Sequence, residues 1–294
     1  MFYRSAGILN LAHGSLVMLA GMVLTSVMPS LPAWIALPLG VALGVTFSVL
    51  LFVLFVRPVL ARGPWFLMFV TLGVSFIAVG AAQIIWGTNS HGFEPAVEGQ
   101  VNILGAVLRY QQLLGLFLAF VVTAFVAWHL RHTMLGRAIR AAAEEPDGAA
   151  TVGIDAKRMM LIAALSTGGL AGLGAALIVP DIGVEPQTAN FLTLIAVTAA
   201  VIGGLGSIWG AVAGGMTLGI FNGLSSGLAP RWFEVIEFSL LLLVLVYRAA
   251  VLARHRSSSP GNLTTIIRSL LHRPARALPP SNDREEAGDV ARVN

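Results

Sequence analysis

The chain contains no cysteine, which excludes a disulfide framework, a thiol nucleophile and a Cys-ligated metal. It contains one lysine, Lys157, and no G-x-x-x-x-G-K-[ST] stretch. No P-loop can therefore set a lysine against nucleotide phosphates. Charge of either sign is scarce. Only 11% of the 294 residues are Asp, Glu, Lys or Arg, against about a quarter in a soluble domain. What is present instead is grease: 56% of the residues are hydrophobic and the mean hydropathy is +0.83. One globule could not hide that much apolar surface, so lipid is the expected solvent. No secretory signal stands apart from the first apolar run, MFYRSAGILNLAHGSLVMLAGMVL, and a bacterial inner membrane is the expected address.

About 20 apolar residues cross a bilayer as a helix. By that measure the candidate spans are 6–28, 33–56, 65–86, 111–130, 159–180, 192–206, 209–228 and 234–252. The fold class is all-α, a polytopic integral membrane protein with about seven or eight membrane helices. The spread arises at 192–228, where Gly203-Gly204-Leu205-Gly206-Ser207 joins two arms. This Gly-rich helical hairpin is either two crossings or re-entrant.

Basic residues in short loops set orientation. Arg57 and Arg62 follow the second span, and Arg131, Arg137, Arg140, Lys157 and Arg158 fill the loop after the fourth. Both loops are expected in the cytosol. The opposite loops carry Glu94, Glu98, Asp181 and Glu185, with Arg109 as their only base. Arg4 places the start inside. The last 41 residues, from Arg254, hold seven Arg and four acidic residues, which suits a solvated cytoplasmic tail near anionic lipid and not a nucleic-acid patch. Residues 1–253 thus form a transmembrane domain with a long loop at 131–158, and 254–294 a tail expected to be disordered. Within the tail, 263–273 has an apolar face at helical spacing that suits the membrane surface. Asn262-Leu263-Thr264 fits the glycosylation pattern by chance on a cytoplasmic segment.

Small-xxx-small spacings occur at Gly40/Gly44, Gly168/Gly172, Gly210/Gly214, Gly215/Gly219 and Gly219/Gly223. Such pairs let helix backbones approach closely in lipid. They serve plain helix packing or an interface that slides during transport.

The loop LGRAIRAAAEEPDGAATVGIDAKR (135–158) is rich in Ala and charge, so helix is expected on both sides of Pro146. Pro146 suits the first turn of a short second helix, with acidic residues favourable at that end. Gly153 reads as its stop. The segment is either a handle for a cytosolic partner or a solvated connection. Asn10 and His13 sit beside an apolar run, where polar groups are costly. They either bond a neighbouring helix at a break near Gly14 or line a substrate path. One histidine makes a poor metal site, and no cofactor is expected. Gly223-Leu-Ser225-Ser-Gly227 matches G-x-S-x-G, but that motif needs a strand–turn–helix elbow and here it ends a membrane helix. Glu234 and Glu237 lie one turn apart and are read as solvated, with Arg231 a partner for Glu237.

Several of these stretches together carry a resemblance. The loop GRAIRAAAEEPDGAATVGID resembles the coupling loop of branched-chain amino acid ABC transporter permeases. GILNLAHGSLVMLAG (7–21) resembles that family's Asn-x-Ala-His-Gly segment. FVRPVLA (55–61), VTLGVSFIAVGAAQIIWG (70–87) and AVTAAVIGGLGSIWGAVAGGMTLGIFNGL (196–224) are similar to later landmarks, in order, over about residues 6–250. The resemblance implies the permease subunit of an ATP-driven importer of branched-chain or similar small amino acids, not an enzyme. It implies as partners a second homologous permease, two cytosolic ATP-binding subunits and a periplasmic substrate-binding protein. Arg137, Arg140, Glu144, Glu145, Asp147 and Gly153 would then belong to the ATPase-coupling loop. Asn10, His13, Gly203, Gly204, Gly206 and Ser207 are candidates for the substrate pathway, and Glu94, Glu98, Asp181 and Glu185 for docking the binding protein.

The family usually has a helix before the Asn-x-Ala-His-Gly segment. This chain starts nine residues before Asn10, so that crossing is expected to be missing here, through an upstream start or a shortened gene. The ending LVYRAAVLARHR also departs from the family's Pro-x-Gly-Leu type. Two alternatives stand beside this reading. A urea or short-amide ABC permease differs only in cargo. An ion-coupled secondary transporter needs ionisable groups at midspan, where this sequence offers only His13.

Overall fold

The computed structural model describes residues 10–103, 106–204 and 206–228, with Ser239, Leu242 and Val246 as isolated helical positions. Arg4, Arg231, Glu234, Glu237, most of the span expected at 234–252 and the tail 254–294 lie outside the described residues. The chain divides after Val244, and the helices below belong to the first part.

In chain order these are α1 (His13–Val27), α2 (Ala36–Leu51), α3 (Pro64–Trp86), α4 (Tyr110–His132), α5 (Met134–Glu144), α6 (Pro146–Thr151), α7 (Ala156–Ile182), α8 (Thr188–Gly203) and α9 (Ile208–Leu228). Among the described residues, five stretches are long and apolar enough to cross a membrane: His13–Ser30, Ala33–Val59, Trp65–Trp86, Tyr110–His132 and Ala156–Ile182. They coincide with the first five expected spans. The pair Thr188–Gly203 and Ile208–Gly223 is bent by 118°. Large apolar side chains cover the outside. Trp34 is 70% exposed and Trp65 76%, and both sit near the ends of spans, where tryptophan favours the membrane interface.

Two seams hold the bundle together. The first joins α2 and α7, which run antiparallel. Gly40 faces Gly172 and Gly44 faces Gly168, so that a Cβ on any of the four would meet the facing backbone. Ser48 Oγ donates to Ala164 O at 2.7 Å, and a Cβ at Gly40 would also stand 3.0 Å from Ala176 Cβ. Both small-xxx-small pairs read from the sequence thus serve packing, and they face each other.

The second seam joins α1 and α3, which run parallel. Leu11 N donates to Thr71 Oγ1 at 3.4 Å, Ser15 Oγ and Ser75 Oγ share a 2.6 Å hydrogen bond, and Trp86 Nε1 donates to Ser26 Oγ at 2.7 Å, each pair 60 residues apart. Hydroxyl pairs of this kind link helices where lipid offers no hydrophobic drive. α1 is the buried centre of the bundle: Ala12, Met18, Ala20, Met22 and Leu24 have no exposed surface.

α2 does not end cleanly. Pro58 has no N–H to give to the carbonyl four residues back. The helix widens into a π turn over Phe52–Val56, with Arg57 N bonded to Phe52 O, before stopping at Gly63. The segment between α3 and α4 holds a feature that an all-helical reading passes over. Strands β1 (Gln100–Ile103) and β2 (Ala106–Arg109) pair antiparallel, Gln100 opposite Arg109. His91 and Val184 exchange backbone hydrogen bonds of 2.8 Å beside it.

Candidate functional site

The long loop folds into two short helices, each held by local chemistry. Thr133 caps α5: its Oγ1 accepts from Gly136 N at 3.0 Å and donates to His129 O at 2.7 Å. Gly136, Ile139 and Ala142 recur every third residue and form the buried underside of α5. Arg137 points outward, its Nη2 3.0 Å from Met134 Sδ. Arg140 is half-buried, and its Nε has no partner among the described residues.

Glu145 is the N-cap of α6 and Pro146 takes its first turn, as that ring's fixed φ favours. α6 ends at Gly153, whose φ is +81°. Gly153 N donates to Ala150 O and Ile154 N to Ala149 O, both at 3.0 Å. This is a Schellman ending, with glycine at its left-handed position. Asp155 then caps α7, accepting from Lys157 N at 2.9 Å and Arg158 N at 3.3 Å. Ala149 alone turns α6 inward. Glu144, Glu145, Asp147, Thr151 and Val152 stay exposed. The loop thus presents a capped, acidic one-turn helix with an apolar Val152 at its end. The expected helix on either side of Pro146 and the stop at Gly153 are both present.

The candidate pathway residues form two separate groups. Asn10 Oδ1 accepts from Ala12 N at 3.1 Å, a local turn directly ahead of α1. Gly14 N donates to Thr193 Oγ1 at 3.2 Å, and Thr193 Oγ1 donates to Ala189 O at 2.8 Å. A Cβ at Gly14 would meet Ala189 O and lie 2.8 Å from Thr193 N. His13 is half-buried at this junction. Asn10 and His13 therefore stand at the start of α1, where it meets α3 and α8, and Gly14 in its first turn is bonded to Thr193. Thr71, Ser75 and Thr193 complete this polar node. Sequence reasoning missed them, although a hydroxyl inside an apolar run is the signal to look for.

Gly203, Gly204, Gly206 and Ser207 lie at the other end of α8. Gly203 is ten residues past Thr193, roughly 15 Å along a helix. Here α8 and α9 approach as closely as backbone allows: a Cβ at Gly203 or Gly210 would meet the other's carbonyl, and one at Gly214 would meet Ala199 O. Gly204 and Gly206 have φ of +95° and +89°, and Ser207 Oγ accepts from Gly210 N at 3.0 Å to start α9. A Cβ at Gly219 meets open space. Gly223–Gly227 lies within α9, so the strand–turn–helix setting of a serine nucleophile is not there.

On the opposite side, Asp181 is not simply solvated. Arg109 Nη1 pairs with its Oδ1 at 2.9 Å, and Gln112 Nε2 donates to its Oδ2 at 2.8 Å.

A bundle of apolar helices, glycine seams and a capped helix pair projecting between two spans defines an all-α multi-pass membrane protein. The family described as the branched-chain amino acid transport system permease component matches residues 1–245, and the chain belongs to that family. The high-affinity branched-chain amino acid permease BraD of Pseudomonas aeruginosa is 34% identical over 154 residues, 52% of this chain and 50% of that protein. The corresponding permease LivH of Escherichia coli K12 is 26% identical over 264 residues, 84% of this chain and 85% of LivH. The fructose import permease FruG of Bifidobacterium longum is 29% identical over 200 residues, 62% of this chain and 58% of FruG. No solved structure matches. The chain is thus a membrane subunit of a transporter.

Proposed function

We propose that this chain is the permease subunit of an ATP-driven importer that carries branched-chain or similar small apolar amino acids across the bacterial inner membrane. A second homologous permease, two cytosolic ATP-binding subunits and a periplasmic substrate-binding protein complete the assembly. The loop at 131–158 faces the cytosol, and α6 docks on an ATP-binding subunit. The cargo assignment leans on the similarity to BraD and LivH. FruG, named for fructose, marks how far cargo ranges among relatives.

The observation that carries this reading is the construction of α6. A helix of one and a half turns does not persist alone in water, yet this one has a proline start and a Schellman stop, and with the end of α5 it presents Glu144, Glu145, Asp147 and Val152 outward. The chain has no P-loop of its own, so ATP energy enters through such a contact. Docking at α6 and at the outer face then shifts a two-state bundle between inward-open and outward-open forms. Gly153→Trp forces a bulky side chain into the left-handed conformation and crowds the docking helix. It is expected to abolish ATP-coupled uptake in cells while leaving membrane insertion intact. Uptake at the wild-type rate would end the coupling assignment.

A further inference from the structure

The α4–α7 pair leaves a groove of about 450 Å³ between Gln111, Gln112 and Asp181 at one end and Val122, Thr123 and Leu170 at the other. Gly115 and Gly174 floor it, and a Cβ at either meets nothing within 4 Å. Its walls are otherwise leucine, isoleucine, valine and alanine. From Gln111 to Thr123 is roughly 18 Å along α4, close to the ~15 Å depth of one leaflet's hydrocarbon. At its polar end the groove meets a second cavity of about 360 Å³, lined by Glu98, Arg109, Gln111 and Asp181. Gln111 and Asp181 line both.

One atom at this junction is unfinished. Gln111 is 3% exposed, and its Nε2 donates to Leu177 O at 3.3 Å. Its Oε1 has no hydrogen-bond partner among the described residues. A buried acceptor left open is costly and calls for a donor.

We infer that α4 and α7 hold a phospholipid with a primary ammonium headgroup, of the phosphatidylethanolamine type, as a bound component of the protein. The groove takes one acyl chain. In the head cavity the Arg109 guanidinium, whose side chain is 58% exposed, meets the phosphate. Asp181, paired with Arg109 at 2.9 Å and with Gln112 at 2.8 Å, holds the guanidinium in place; Glu98 meets the ammonium, and an ammonium N–H completes Gln111 Oε1. A choline headgroup has no N–H to give, and a glycerol headgroup has no positive charge for Glu98. A free amino acid also pairs an anion with an ammonium, a carboxylate in place of the phosphate, but is far too short to fill a groove of this length. The inference is independent of the cargo and of the coupling loop.

The test is native mass spectrometry of the purified full-length chain, with phosphatidylethanolamine, phosphatidylcholine or phosphatidylglycerol added to the delipidated protein. The ethanolamine lipid is expected to be retained about tenfold over the other two. Gly115→Leu/Gly174→Leu, which fills the groove where space is open, is expected to lose that adduct about tenfold while melting as the wild type does. Equal retention of the choline lipid by the wild type would overturn the headgroup assignment, a result that needs no variant. Undiminished retention by the filled-groove variant would overturn the site. So would efficient crosslinking of Gly115→Cys or Gly174→Cys to another protein in native membranes, which would show a polypeptide there instead.

Discussion

At the scale of single residues, the bundle is most sensitive where a hydrogen stands in for a side chain. Gly14 is such a position: its N–H is bonded to Thr193 Oγ1 and a Cβ would run into Ala189 O. Overpacking of this kind costs about 1–3 kcal/mol. Gly14→Val is therefore expected to lower the melting temperature in detergent clearly. Gly115→Ala, facing open space, should change it little, within about 0.5 kcal/mol. Equal melting of the two variants would show that the α1–α8 junction is looser than the geometry states. Gly153 differs in kind. Nothing stands near its missing Cβ, and its requirement is the positive φ that ends α6. Sequence pattern exposed that requirement, because an acidic–proline start and a glycine seven residues on delimit a short helix. It did not expose Gly14, whose demand comes from Thr193, 179 residues away.

At the scale of elements, the spans were legible because hydrophobic length is a local property, and within the described residues the first five expected ranges agree with the helices to within a few residues. The Asn10 turn ahead of α1 is a detail that propensity alone does not reveal. The β1–β2 pair was missed because strands of four residues, one of them reading Gln-Val-Asn-Ile, leave no mark in hydrophobic length. The glycine spacings were legible as packing motifs, but which helix each would meet was not. The α2–α7 seam supplies the sharpest test at this scale. Gly172→Leu should force the two helices apart and cost about 3 kcal/mol or more, read as loss of the folded, protease-resistant form. Gly174→Ala on the same helix, two residues on and facing the open groove, should retain it. Survival of the Gly172→Leu protein would mean that α7 does not depend on α2.

At the scale of the whole molecule, orientation is the proposal on which coupling depends, and a chain without cysteine is ready for its test. Asp147→Cys on α6 and Gln187→Cys between α7 and α8 each place a sole thiol at an exposed position. A membrane-impermeant maleimide applied to spheroplasts should label Gln187→Cys at once and Asp147→Cys only after permeabilisation. The reverse pattern would invert the molecule and remove the docking surface from the cytosol. If the orientation holds, the α2–α7 seam acquires a mechanical meaning. Each carbonyl there sits where the opposing helix has only a hydrogen, so neither helix can slip by one residue without collision. The pair is therefore expected to move as a single stiff spar, which runs from the Asp155 cap beside the loop to Asp181 at the other end of α7. A push at α6 would then be carried along that spar rather than absorbed by sliding within it.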